Sequence, residues 1–127
     1  VAAAAMSMLG FAAVGLYLFY PPPDELVDDM KVIRVEAYDA LRSQNAEELR
    51  RRIVQWKRLA EKLPTSAFLR GRDVSDSGRE SLKDLLYGLD MLEQHVAPGH
   101  EAEAAMMRKY VERLYRKCCE EFRKKPR

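Results

Sequence analysis

Tyr115-Arg116-Lys117-Cys118-Cys119-Glu120-Glu121-Phe122-Arg123-Lys124-Lys125 decides how this chain is to be read. Upstream of and within it, apolar residues recur at Met107, Val111, Leu114, Cys118 and Phe122. Steps of four, three, four and four put these side chains on one stripe of an α-helix that faces a core. Cys118 belongs to the stripe, and Cys119 sits at its edge, one turn beyond Tyr115. Glu101 and Glu103 open the helix, and Arg123, Lys124 and Lys125 close it, as the macrodipole favours. A helix over about 100–124 follows.

Working back toward the amino end, the same period returns three times. Asp24 and Glu25 start a helix over about 24–44, with Leu26, Met30, Ile33, Ala37 and Leu41 on its inner face. Asn45 with Glu48 forms a capping-box-like start. The helix over about 46–63 then carries Leu49, Ile53, Trp56, Ala60 and Leu63 inward and is expected to end at Pro64. Thr65 to Asp76 lacks a period and reads as a long loop, with Ala67, Phe68 and Leu69 tucked against the bundle end. Ser77-Gly78-Arg79-Glu80 reads as a second capping box. The helix it opens, about 78–96, turns Leu82, Leu85, Leu86, Leu89, Leu92 and Val96 inward. Short, long and short connections between four amphipathic helices predict an all-α, up-down-up-down four-helix bundle over residues 24–125.

Before the bundle, residues 1–20 read VAAAAMSMLGFAAVGLYLFY without a charge. As a helix they reach roughly 30 Å, the hydrocarbon thickness of a bilayer, so a single transmembrane helix is expected. Leu9, Phe11, Leu16, Tyr17, Leu18, Phe19 and Tyr20 are its expected anchor residues, the aromatic ones matching an interface belt. Ala3 and Ser7, or Gly10 and Val14, offer small residues for a neighbouring helix to approach. Pro21-Pro22-Pro23 makes a stiff hinge. A cleaved signal peptide is the competing reading, but no small-x-small site precedes Leu18-Phe19-Tyr20.

The 127 residues carry 47% hydrophobic and 33% charged side chains with a net charge of only +2. Mixed signs along the chain argue against a nucleic-acid-binding face. Arg50-Arg51-Arg52 with Lys57 and Arg58 makes a basic side on the second bundle helix, yet Glu47, Glu48 and Glu61 share that helix and predict ion pairs. His95 and His100 flank a Pro-Gly break and read as solvated turn residues rather than a metal pair. Cys118 and Cys119 have neither C-x-x-C spacing nor a histidine partner, so buried apolar packing is their expected role. No phosphate loop, Glu-x-x-His pair or serine triad is visible, and no catalytic residues, resident metal or small-molecule substrate are expected.

The ending Cys118…Phe122-Arg123 resembles the haem-attachment helix of class II c-type cytochromes, the cytochrome c′ family, where C-x-x-C-H-x-x-F/Y-R closes the fourth helix. Met30-Lys31, Ala37 and Leu41, the short turn at Asn45 and the long Phe68-containing connection are similar too. Anchored on Phe122-Arg123, the resemblance places Tyr115 where the first haem cysteine stands, Cys118 at the second, and Cys119 at the axial histidine. It implies Met30 as the second axial ligand of a low-spin haem. Two of the three attachment residues differ, so the resemblance implies a member without haem. Tyr115, Met106, Met107, Tyr110 and Phe122 are then expected to fill the vacated space.

The function expected from these readings is a non-catalytic, membrane-anchored structural or docking subunit of a larger membrane complex. Its partners would be other subunits and the lipid bilayer, without nucleic acid. Similarity to exported cytochromes implies a periplasmic bundle, and Asp24, Glu25, Asp28 and Asp29 ahead of the first lysine agree. Two alternatives are an electron-transfer protein holding haem through Met30, Cys118 and Cys119, and an accessory subunit of an organellar respiratory or photosynthetic membrane complex.

Overall fold

Amphipathic stripes broken by proline, glycine and polar turns give six helices among the described residues and no strand. The structure is a computed structural model that describes residues 2–95, 99 and 101–123; for 2–8 it describes the helical backbone alone. The helices are α1 (Ala2–Phe19), α2 (Pro23–Arg42), α3 (Ala46–Glu61), α4 (Leu63–Leu69), α5 (Asp76–Gln94) and α6 (Glu101–Arg123). Helix α2 packs on α3, α3 on α5, α5 on α6, and α6 returns to α2. The protein is all-α, and four long helices enclose one core.

The inward stripes read from the sequence are buried. Leu26, Met30 and Ala37 of α2, all five expected residues from Leu49 to Leu63, and Leu85, Leu89 and Leu92 of α5 have little or no exposure, as have Val111, Cys118 and Phe122 of α6. Ile33, Leu41, Leu86 and Met107 are partly buried against them. Val96 lies outside the described residues, as do Ala97, Pro98 and residues 124–127.

Local chemistry explains the helix ends. Asn45 accepts a hydrogen bond from the Glu48 amide at 3.2 Å, capping α3 as expected. Gln44 takes φ +57°, the left-handed conformation that reverses the chain in three residues between α2 and α3. Helix α5 starts at Asp76 because Ser75, not Ser77, is the cap: its Oγ accepts from the Gly78 amide at 3.0 Å. A Cβ on Gly78 would stand 3.3 Å from both Ser75 Oγ and Val74 Cγ1, so the close cap depends on glycine there.

Pro64 does not end the second bundle helix in a loop. It occupies the first turn of α4, where proline's fixed φ suits a helix start and its missing N–H costs nothing. Of the three residues expected to tuck inward here, Ala67 is buried and Leu69 half-buried, whereas Phe68 is 74% exposed.

The amino-terminal helix requires the larger correction. Among the described residues, no helix is long and apolar enough to cross a membrane. Helix α1 has 18 residues, about 27 Å at 1.5 Å per residue, and its last turn is fastened to the protein. Tyr17 Oη donates to the Leu69 carbonyl at 2.8 Å, Lys62 Nζ lies 4.1 Å from the Phe19 ring centroid, and Ser66 Oγ donates to the Pro21 carbonyl. The transmembrane helix, the single-pass localisation and the periplasmic or organellar-membrane placement of the bundle are therefore withdrawn. Leu9, Phe11, Leu16, Tyr17, Leu18 and Phe19 are exposed residues of α1, and Tyr20 is half-buried at its foot.

Leu114 of α6 fills the space opposite Gly88, where a Cβ would meet Leu114 Cδ1 at 2.9 Å. Leu114→Ala leaves that space unfilled on both helices and is expected to lower stability by about 2–5 kcal/mol. Val32→Ala, at a site 58% exposed, should change it by less than about 0.5 kcal/mol. Urea unfolding of the two variants in parallel checks the difference.

Candidate functional site: the charged cavity between α2 and α6

A period of 3.6 residues places Lys31 and Arg34 of α2 on the same side as Glu112, Tyr115, Arg116, Cys119, Glu120 and Arg123 of α6. These eight side chains line a half-open cavity of about 330 Å³. Its inner wall is aromatic. Trp56 of α3, fully buried, meets Tyr115 edge-on at 5.5 Å and Tyr38 at 6.0 Å between ring centroids.

Glu112 organises the wall. Arg34 donates to both of its oxygens at 2.9 and 3.0 Å, Tyr38 Oη donates at 2.8 Å, and Arg116 approaches at 3.5 Å. The Arg34 guanidinium also faces the Tyr115 ring at 5.3 Å and the Tyr38 ring at 5.7 Å. Burial opposes the Arg34 charge, but Glu112 more than offsets it and the arginine is held above its ordinary pKa. At the mouth, Arg123 and Lys31 share Asp28 at the longer distances of 3.6 and 3.7 Å.

Three polar groups in this wall are left over, the Trp56 indole Nε1 among them. The Tyr115 hydroxyl is buried without a hydrogen-bond partner; it lies against the Cys119 thiol without meeting hydrogen-bond geometry. Arg34 Nε is likewise buried and unsatisfied. Burial first, then the neighbouring Cys119, drives the Tyr115 pKa far upward, so the hydroxyl keeps its proton and remains a donor. Cys119 is raised by burial as well, although Tyr115, Arg123, Lys31 and Arg34 all pull it down. Cys118 points elsewhere: it is fully buried in the core, and burial with the adjacent Cys119 pushes its thiol up to about 12.

Met30, Cys118 and Cys119 all belong to the buried hydrophobic core; Cys119 also lines the charged cavity, and no histidine does. Tyr115 cannot form a thioether, so these side chains do not fit a c-type haem. The space-filling expectation is partly corrected. Tyr115 and Phe122 are buried and Met107 partly so, but Met106 is 72% and Tyr110 39% exposed. Trp56 takes their place at the inner wall, a contact that an inward position on α3 alone could not assign to α6.

The other candidates lie apart from the cavity. On α3, Arg51 pairs with Glu48 at 2.9 Å, Arg52 with Glu36 at 2.6 Å, and Lys57 with Asp90 at 2.6 Å, so much of the basic side is neutralised within the protein. His95 Nδ1 lies 2.7 Å from the Met91 carbonyl; His100 lies outside the described residues. Among the described residues no group of three potential ligands is placed to hold a metal ion. On α1, every side chain from Leu9 to Phe19 is exposed, and the space around Gly10 and Gly15 is open; the side chains of Ala3 and Ser7 lie outside the described residues.

No family model, no curated protein and no solved structure matches this chain.

Burial of the Cys118 thiol has a consequence for alkaline stability. An acid whose folded pKa is raised stabilises the protein below its unfolded pKa, near 9, and that stability is lost as pH rises toward the folded value of about 12. The urea midpoint at about pH 10.5 is expected to fall below that at about pH 8, and Cys118→Ser to narrow the difference. Equal narrowing by a surface substitution would contradict this assignment.

Proposed function

We propose that this chain is a non-catalytic docking subunit. In this reading an up-down-up-down four-helix bundle, related to cytochromes c′ but built without haem, holds out α1 for capture between helices of a partner protein. The exposed surface of α1 carries the proposal. Leu9 is 70%, Phe11 80%, Leu18 76% and Phe19 58% exposed, on a helix with no charged residue on any side. A helix apolar all round belongs inside something, and monomers seldom leave contiguous apolar surface of this extent open. Gly10 and Gly15 present bare backbone, which favours a helix approaching closely over a bulky apolar ligand.

Its attachment fits the same role. Tyr17, Phe19 and Pro21 bind the α4 platform and orient the helix, while the turns above them remain free for a partner. Tyr115, which cannot form a thioether, and a cavity lining without histidine support the haem-free form over the electron-transfer alternative.

A photo-crosslinking amino acid at Phe11, in the full chain and in its own cells, is expected to give one discrete protein adduct. The same group at Tyr87, an exposed α5 position, should give none. Adducts at both positions alike, or none at Phe11, would overturn the docking role. A Soret band from the purified protein would overturn the haem-free part.

A further inference from the structure

We infer that the cavity between α2 and α6 is a binding site for a phosphomonoester dianion, held by the Tyr115 hydroxyl and the Arg34 guanidinium within a ring completed by Lys31, Arg116 and Arg123. Four cations against two carboxylates leave the lining a formal charge of +2, which matches a phosphomonoester above its second pKa of about 6. Asp28, outside the lining, draws on Arg123 and Lys31 only at 3.6 and 3.7 Å and is itself well exposed, so both keep donors for a ligand.

The leftover donors point to the ligand's chemistry. Tyr115 is 5% exposed, its hydroxyl has no partner, and it lines the cavity. Leaving such a donor unsatisfied costs about 1–3 kcal/mol, which phenylalanine would avoid at the same volume. Arg34 Nε is a second unsatisfied donor of the same wall, while its NH1 is committed to Glu112. Two residues that line one cavity, from α2 and from α6, thus each hold an unsatisfied donor, which calls for an acceptor with several oxygens. A tetrahedral phosphate accepts from several directions at once, whereas a planar carboxylate is satisfied by a single arginine fork. The volume of about 330 Å³ exceeds a bare phosphate and admits a small organic substituent toward the open mouth.

Trp56, the protein's single tryptophan, lies 5.5 Å from the Tyr115 ring and reports on the site by its fluorescence. The full chain is titrated with glycerol 3-phosphate, with glycerol as the uncharged control. A parallel arm uses neutral vesicles with and without phosphatidic acid, which displays the same head group on a lipid. Saturable binding is expected with one of these phosphates and not with the controls, and the responding arm identifies the source. Tyr115→Phe should weaken that binding about tenfold, the loss of one hydrogen bond to a charged group, while leaving the urea midpoint unchanged or raised. Arg34→Lys keeps the charge but loses the fork and should weaken binding too. No saturable response to either phosphate, or affinity unchanged in Tyr115→Phe, would overturn the inference.

Discussion

Trp56 is the contact on which the arrangement of the long helices depends. It projects from α3 with no exposed surface and meets Tyr38 of α2 and Tyr115 of α6, each edge-on. Edge-to-face pairs add about 0.5–1.5 kcal/mol each to the burial of three large rings. They also set spacing. With an indole between them, α2 and α6 are kept far enough apart to leave a cavity beyond Tyr115, and close enough for Arg34 and Tyr38 to reach Glu112. The aromatic cluster and the charged wall are therefore two sides of one piece of packing.

A second constraint governs the amino-terminal third. Pro21-Pro22-Pro23 separates α1 from α2, and Pro23 serves as the first residue of α2. The short helix α4 then supplies what an irregular loop would not. Its Leu69 carbonyl receives the Tyr17 hydroxyl, and its buried Ser66 holds the Pro21 carbonyl. Arg70 reinforces the joint by bonding the Ser66 carbonyl and lying over the Tyr17 ring at 5.1 Å. An apolar helix is thereby projected in a defined direction rather than left to collapse onto the bundle.

The sequence carried most of the core. Its 3.6-residue period identified the four long helices and nearly every side chain that is fully buried, because each helix must hide one stripe wherever its neighbours lie. It also carried the Asn45 cap, since that bond closes within four residues. Helix α3 does end just ahead of Pro64, but residue types do not reveal α4 beyond it, because proline suits both the end of one helix and the first turn of the next. Residue types alone mark Ser77-x-x-Glu80 as a capping box, while the actual cap, Ser75, depends on the chain's path around Val74 and Gly78.

What the sequence by itself determined, then, is an all-α chain with most of its inward residues marked and an uncharged amino-terminal stretch. Tertiary structure alone decided which inward residues meet and what that stretch does. It set the buried Cys119 where the core borders the charged cavity, left Met30 and Cys118 deeper inside, and brought Lys31 and Arg34 across to face Tyr115. It also tied Tyr17 and Pro21 to α4, which anchors the apolar helix at its foot. The physical reason is range: a period and a cap are properties of a few consecutive residues, whereas a cavity or a docked helix joins residues dozens of positions apart.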